Sequence, residues 1–423
     1  PAEAGAAPDE AFLRRRLFGP LNGEALVCVG TLLTVPVFAL LVSGFAPLSP
    51  EGHAVTIIPA PWIDRWESSG LAPLEVLAMV AREMSKPAGL VLMLCGLAAG
   101  VYLLYETFRL DKVSRERMFV VLILTFFSML FWSFFEQAGS SVNNFTDRNV
   151  DRVFEQRRIT PAEVGWKIRL QPTQEQLGYH NGQTLFTLDQ LDRLREAHGA
   201  DPDFTIEWTV APDNVGMGVA RRIDEIPAST FQSVNPIYIL IFGLVFTALW
   251  TVLGRYGLEP STPVKFAMGL FQLGLGFGAF WYGAQAADDR GMVLLVWLFV
   301  GYLLQTTGEL CLSPVGLAMV TRLSPKRLVS TVMGAWFLAT AFSQFLAAII
   351  AQFTGVTESA DGGETFIPPP RETVHVYGDV FGKIALAAVF SALICFALAP
   401  LLNRWMHPEE PGDEGQDERQ TGD

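Results

Sequence analysis

Residues 292–320 read MVLLVWLFVGYLLQTTGELCLSPVGLAMV, and Glu309 is the one charged residue among them. A run of this length and apolarity exceeds the about 20 residues that an α-helix needs to cross a bilayer. Its apolar side chains surround the helix, whereas a surface helix carries them as a single stripe. Seven further runs fit the same template: 24–45, 89–108, 118–138, 236–253, 264–284, 329–353 and 380–402. The sequence therefore predicts an all-α membrane protein with eight spans.

The composition agrees. Of 423 residues, 50% are hydrophobic and 17% charged, against about 25% charged in soluble domains. The charges crowd into the connections and into the tail 407–423, which holds seven acids and one Arg. Such a tail reads as solvated. Cys28, Cys95, Cys311 and Cys395 sit far apart inside apolar runs, as packing residues do, with no metal spacing or disulfide framework. No nucleophile–base set, metal cluster or phosphate loop points to an enzyme, and no nucleic-acid partner is expected. Nor does a signal peptide open the chain. Pro1 in place of Met is expected to mark a cut from something longer.

The chain divides into a cytoplasmic linker (1–23), two spans with their connection (24–110), one span (111–151), an insert (152–226), five spans (227–405) and an acidic cytoplasmic tail (406–423). With the amino terminus inside and the long 139–232 connection left out, since long loops cross regardless of charge, thirteen Lys and Arg fall on the cytoplasmic side and five on the other. The positive-inside rule then places both termini in the cytoplasm and the insert outside. Within the insert, 187–198 is expected to be an amphipathic helix with Leu188, Leu191 and Leu194 inward. Residues 204–210 alternate like a strand, with Phe204, Ile206 and Trp208 on one face. The insert reads as a small α+β unit; capping, partner contact and a merely tolerated insertion are all open.

Polar residues inside apolar helices are costly and tend to face cavities. Tyr302, Gln305, Thr306, Glu309, Ser313 and Gly316 recur in steps of three and four, which places them on one helical face. Pro314 is expected to kink the helix just past Glu309. A second stripe joins Trp132, Glu136, Ser140, Asn143 or Asn144, and Asp147; a third joins Trp336, Thr340 and Ser343. Glu136 and Glu309 have no basic residue near them in the spans, Lys383 standing only at a span's edge. Either they bind protons, or their partners lie in another part of the molecule; a lone acid bonded to backbone is the plain alternative. Gly274 and Gly278 form a small-xxx-small pair suited to close helix packing. All five histidines lie outside the expected spans.

Four segments carry a family resemblance. FWSFFEQAGSSVNNFTDRN (131–149), IPASTFQSVNP (226–236), GELCLSPVGLAMVTRLSP (308–325) and MGAWFL (333–338) resemble, in order and spacing, helices seven, eight, ten and eleven of the proton-dependent oligopeptide transporters. The resemblance implies a major facilitator-type carboxy-terminal six-helix bundle, with runs 24–45 and 89–108 as two extra linker helices. It implies that Glu309 receives a peptide's amino terminus with Asn235 assisting, and that Trp336 lines a side-chain pocket. Ser313 and Gln305, on the polar stripe, join the expected substrate-binding set. Glu136 and Asp147 are implied in gating ion pairs with basic residues of the first bundle.

The family's Glu-x-x-Glu-Arg motif and the basic residues of its first bundle are absent, so the chain would be one half of a transporter. The insert is longer than the family leads one to expect, and Thr230 stands where an aromatic is common. The implied activity is proton-coupled uptake of di- and tripeptides by alternating access in the cytoplasmic membrane. Its partners are small peptides, the lipid bilayer and the missing amino-terminal bundle. No cofactor is implied beyond protons as the coupling ion, and the full-length protein is expected to be monomeric. Two rivals stand beside it: the same fold carrying another small solute, such as nitrate or an amino-acid conjugate, and a membrane scaffold or receptor presenting the insert.

Overall fold

The computed structural model describes residues 16–18, 21–49, 54–70, 72–198, 201, 204–219, 225–354 and 368–407. Residues 1–15 of the expected linker and the acidic tail from 408 onward lie outside the described residues. The chain forms two compact units, Pro1–Ala98 and Ala99–Asp423, whose boundary falls inside a helix.

In the first unit, a short antiparallel pair, β1 (Arg16–Phe18) and β2 (Leu21–Asn22), leads into α1 (Gly23–Val42). Asn22 caps that helix, its side-chain oxygen accepting from the Ala25 N–H at 2.8 Å. Two further helices, α2 (Ala60–Glu67) and α3 (Ala72–Ser85), were not foreseen. They are short and amphipathic, below the length of a span, and they pack on one another through Ile63, Ala78 and Ala81. The next helix, α4 (Pro87–Arg109), carries the boundary between the units.

The second unit holds six apolar spans. The first is α5 (Lys112–Phe135), continued through a 3-10 turn (Glu136–Gly139) into α6 (Ser141–Asn149). The others are α8 (Val234–Arg255), α9 (Thr262–Gln285), α10 (Leu295–Leu323), α11 (Val329–Gln352) and α12 (Pro370–Trp405). With α1 and α4, eight segments among the described residues are long and apolar enough to cross a membrane. The expected all-α membrane fold is the one observed. Its core is aromatic: Phe131, Phe266, Phe277, Phe280 and Phe381 are fully buried. On α8, by contrast, Leu240 and Leu244 are 76% and 78% exposed, an outer face suited to lipid.

Three expectations are corrected. The stripe from Trp132 to Asp147 does not lie on one continuous helix. The 3-10 turn at Glu136–Gly139 and the non-helical Ser140 (φ −124°, ψ −93°) reset its phase. The last span begins at Pro370 rather than 380, bringing His375 into a helix. Arg371, Glu372, His375 and Asp379 lower the apolar signal there, while Tyr377 on the opposite face packs on Phe145 with ring centroids 5.7 Å apart. Pro314 lies inside an unbroken α10.

The third correction concerns the glycines. Gly274 does make a close contact, since a Cβ there would lie 2.7 Å from Val389 of α12, but Gly278 faces open space. The tight crossing is between α9 and α10. A Cβ on Gly269 would stand 2.8 Å from the Gly308 carbonyl oxygen, and one on Gly308 would stand 2.7 Å from that of Gly269. Gly276 and Gly283 continue the same α9 face toward Gln305 and Trp297. Their spacing of seven is close to two helical turns.

The insert carries α7 (Leu188–His198) and three antiparallel pairs: β3 (Arg157–Arg158) with β8 (Gly218–Val219), β4 (Lys167–Leu170) with β7 (Ile206–Thr209), and β5 (His180–Asn181) with β6 (Thr184–Leu185). Leu170, Leu191, Trp208 and Met217 are fully buried at its core. The Trp208 indole N–H donates to Asn214 Oδ1 at 3.0 Å, so its polar edge is satisfied. The expected strand is shorter than 204–210, because Phe204 leaves it and stacks on the His198 ring at 4.0 Å. Leu188 and Leu191 point inward as expected, with Leu194 only partly buried.

The crossing yields a contrast. Gly308→Leu is expected to destabilise the protein by about 1–3 kcal/mol, since two backbones must part to admit the side chain. Gly278→Leu is expected to leave thermal unfolding in detergent unchanged. A Gly308→Leu melting point equal to that of the unsubstituted protein would disprove the crossing.

Candidate functional site

The face of α10 turned toward α8 holds the acid. Glu309 is half-buried, and its Oε2 accepts from Asn235 Nδ2 at 3.3 Å. Asn235 Oδ1 accepts in turn from Thr306 Oγ1 at 2.9 Å, and that hydroxyl also lies 2.8 Å from the Tyr302 carbonyl. Thr306 stands one turn before Glu309 and so shares its face. Asn235 is the second residue of α8, delivered there by the 3-10 turn Ala228–Ser233. The amide is therefore fixed at both ends and aimed at the carboxylate.

Glu136 ends α5 and is also half-buried. α5, which Glu136 ends, packs against α10, which carries Glu309. Among the described residues, neither glutamate forms a salt bridge to a basic side chain.

The other expected substrate residues are distributed differently. Ser313, one turn beyond Glu309, has a buried hydroxyl without a hydrogen-bond partner. Trp336 is 6% exposed and packs on Gly316, where a Cβ would lie 2.5 Å from the ring, within the α10–α11 contact. Gln305 is fully buried against Gly276 of α9, with both amide atoms unpartnered. It stands one turn before Glu309, on the edge of that polar face next to Gly301 and Gly308. The glycines of both helices draw this edge into the packed crossing, so Gln305 packs on α9.

Asp147 sits apart from Glu309, at the join between α6 and the insert. Its Oδ1 pairs at 2.8 Å with Arg152, whose side chain is 1% exposed. Arg152 reaches across the join: Nε donates to the Thr146 carbonyl, Nη2 to Asp147, and Nη1 to the Ile226 carbonyl, with Glu225 at 3.2 Å. Burial pulls the Arg152 guanidinium below its ordinary range, and the carboxylates of Glu225 and Asp147 oppose that. Glu225 also binds Arg195 at 2.6 Å. A second tie, Arg290 to Glu175 at 3.2 Å, links the α9–α10 loop to the insert; burial pushes the Glu175 carboxyl up and Arg290 opposes it.

Two structural polar residues escaped sequence reading. Gln137 donates to the Ala347 carbonyl at 3.0 Å and accepts from Ser141 at 2.7 Å, tying the turn after α5 to α11. Asn149 donates to the carbonyls of Gly291 (3.1 Å) and Pro370 (2.8 Å) and accepts from Thr373. Both lie within the quoted segment 131–149, where an amide in an apolar setting was the available signal.

Comparison with known proteins bears on this arrangement. Residues 216–367 match the PTR2 model, described as the POT family. Three of the four segments that carry the resemblance, 226–236, 308–325 and 333–338, fall within this match. Dipeptide and tripeptide permease B of Aeromonas hydrophila is 29% identical over 331 residues, covering 78% of this chain and 51% of the permease. Dipeptide and tripeptide permease A of Erwinia pyrifoliae is 39% identical over 182 residues, covering 43% of this chain and 35% of that protein. The chain spans about half the length of the curated permeases B that it matches. A crystal structure of peptide transporter POT in complex with sulfate aligns with a TM-score of 0.49 and 22% identity, covering 90% of this chain and 53% of that one. The chain is a multi-pass membrane protein whose residues 216–367 match the POT family model.

Arg152 offers a direct test of the join. Replacing it with Met leaves the Glu225 carboxylate buried without one of its two cations. Breaking such a pair costs about 3–5 kcal/mol. Hydrogen exchange across 153–219 is expected to accelerate strongly in Arg152→Met, with the bundle helices protected as before. Unchanged protection in the insert would mean that Arg152 does not hold it.

Proposed function

We propose that the full-length protein takes up di- and tripeptides by proton-coupled alternating access, and that this chain is its carboxy-terminal half. The observation that carries the proposal is the set Glu309–Asn235–Thr306, with Glu136 at the end of the helix that packs against α10. A peptide's ammonium group carries three N–H donors. Glu309 offers a half-buried carboxylate with one oxygen already oriented by Asn235, and a hydrogen bond between charged partners in such a site is strong. Peptides differ in side chains but share their termini, so recognition through the ammonium admits many of them. The names of the matched permeases point the same way.

Coupling follows from the two carboxylates. Like charges in a cavity shielded from water repel more strongly than they would in solution. A proton on one acid, or an ammonium group on the other, relieves that repulsion. Either one alone therefore lowers the cost of holding the two acids together in the loaded state. The amino-terminal bundle would supply the cations that hold the peptide's carboxylate and pair with the gate acids, and the bundles would rock around substrate at the bilayer midplane. The chain acts as a transporter and not an enzyme, with protons as coupling ion and no other cofactor. It resides in the cytoplasmic membrane with both termini inside and the insert outside, in a monomeric full-length protein.

The test is uptake of a labelled dipeptide by the full-length protein in liposomes under an inward proton gradient. Glu309→Gln removes one charged hydrogen bond of about 1.5–3 kcal/mol and is expected to lower uptake at least about tenfold. Gradient-driven uptake unaffected by that substitution would remove Glu309 from ammonium binding. Absence of dipeptide uptake by folded protein would overturn the peptide reading itself.

A further inference from the structure

A second site lies at the outer join. Between the insert, the end of α6 and the turn Ala228–Ser233 there is a cavity of ≈ 510 Å³. That volume falls within the range of small-molecule pockets. It is separate from the Glu309 site, and none of the residues around Glu309 line it.

The charges in its wall are unequal. Asp147, Glu225 and Asp201 bring three carboxylates; Arg152 and Arg195 bring two guanidiniums. The buried pair uses itself up: the Arg152 nitrogens are held by Thr146, Asp147, Glu225 and Ile226, and Glu225 is taken by Arg152 and Arg195. Asp201 has a partner of its own, and among the described residues Arg195 and Asp147 remain at the cavity rim. Arg195 is 38% exposed; its one close hydrogen bond is to Glu225, with Asp192 at 3.9 Å, which leaves further N–H donors of its guanidinium. The Asp147 side chain is 36% exposed and is bonded to Arg152 through Oδ1. Beside them, Phe204 and the His198 ring lie stacked at 4.0 Å, and Leu194 and Pro227 complete an apolar wall.

We infer that this cavity binds a small zwitterion, with its carboxylate on Arg195, its ammonium on Asp147 and its side chain against Phe204 and Leu194. A carboxylate on Arg195 satisfies donors left open among the described residues, and an ammonium on Asp147 meets a half-exposed carboxylate that Arg152 holds through Oδ1. A simple anion would meet three carboxylates, and a simple cation would leave Arg195 unused. The inference stands on this cavity alone and does not require the Glu309 site to bind peptide.

The experiment is calorimetric titration of the full-length protein in detergent, carrying Glu309→Gln so that the membrane site is weakened. The probes are dialanine, its carboxy-terminal amide and its N-acetyl form. Dialanine is expected to bind, and each capped form to bind at least about tenfold more weakly, as befits loss of a charged hydrogen bond. Arg195→Ala in the same background is expected to lower dialanine affinity by a similar factor. Leu194→Trp, which fills the cavity without touching a charge, is expected to do likewise and keeps the test valid should Arg195→Ala misfold. The inference is overturned if dialanine does not bind, if either capped form binds as tightly, or if folded Leu194→Trp leaves affinity unchanged.

Discussion

The close crossing of α9 and α10 at Gly269 and Gly308 is the constraint on which the candidate site depends. Two backbones meeting at carbonyl-to-Cα distance leave no freedom to rotate either helix. With α10 fixed, Gln305 and Gly301 must face α9, and the adjoining face, carrying Thr306 and Glu309, must turn to α8. A bulkier residue at the crossing would separate the helices and change the direction in which the acid points. In lipid, where apolar side chains gain little by leaving one another, such dispersion contact and the few internal hydrogen bonds supply much of the specificity.

A different force holds the insert. Its own core, around Trp208 and Leu191, is that of a small soluble unit, but its attachment is ionic. Arg152 lies between the acid at the end of α6 and the acid where the insert returns, and Arg290 reaches Glu175 from the α9–α10 loop. Buried pairs of this kind add little net stability, yet removing one member is costly. They therefore act chiefly to specify where the insert sits. That placement also creates the outer cavity and commits Asp147 to a partner within its own chain.

Much of the fold was legible because its signal is local. A run of about 20 apolar residues declares a span wherever it occurs, and the expected runs each overlap an observed helix. The misses share one cause. α2, α3 and the first turns of α12 are amphipathic, so half their residues carry the polar signature of a loop. The insert helix and strand were visible through Leu188, Leu191 and Trp208, whose periodicity is that of a one-sided core. At the site, Glu309 and Asn235 were legible as polar residues in apolar helices, whereas the bond from Thr306 to Asn235 and the partner of Asp147 could not be read from the motifs.

By itself the sequence determined that this chain lies in a membrane, roughly where each span runs, and which acids fall inside them. These follow from hydropathy and from the cost of a charge in hydrocarbon, and both act residue by residue. The rotation of each helix about its axis was decided by tertiary structure alone. Gln305 and Glu309 are one helical turn apart and both fit a polar stripe; only the glycine crossing sends one into a packed interface and the other toward Asn235. Likewise Asp147 and Glu225 are distant in sequence, and it took the folded insert to set Arg152 between them. Contacts between distant segments depend on shape, and shape arises when the helices pack.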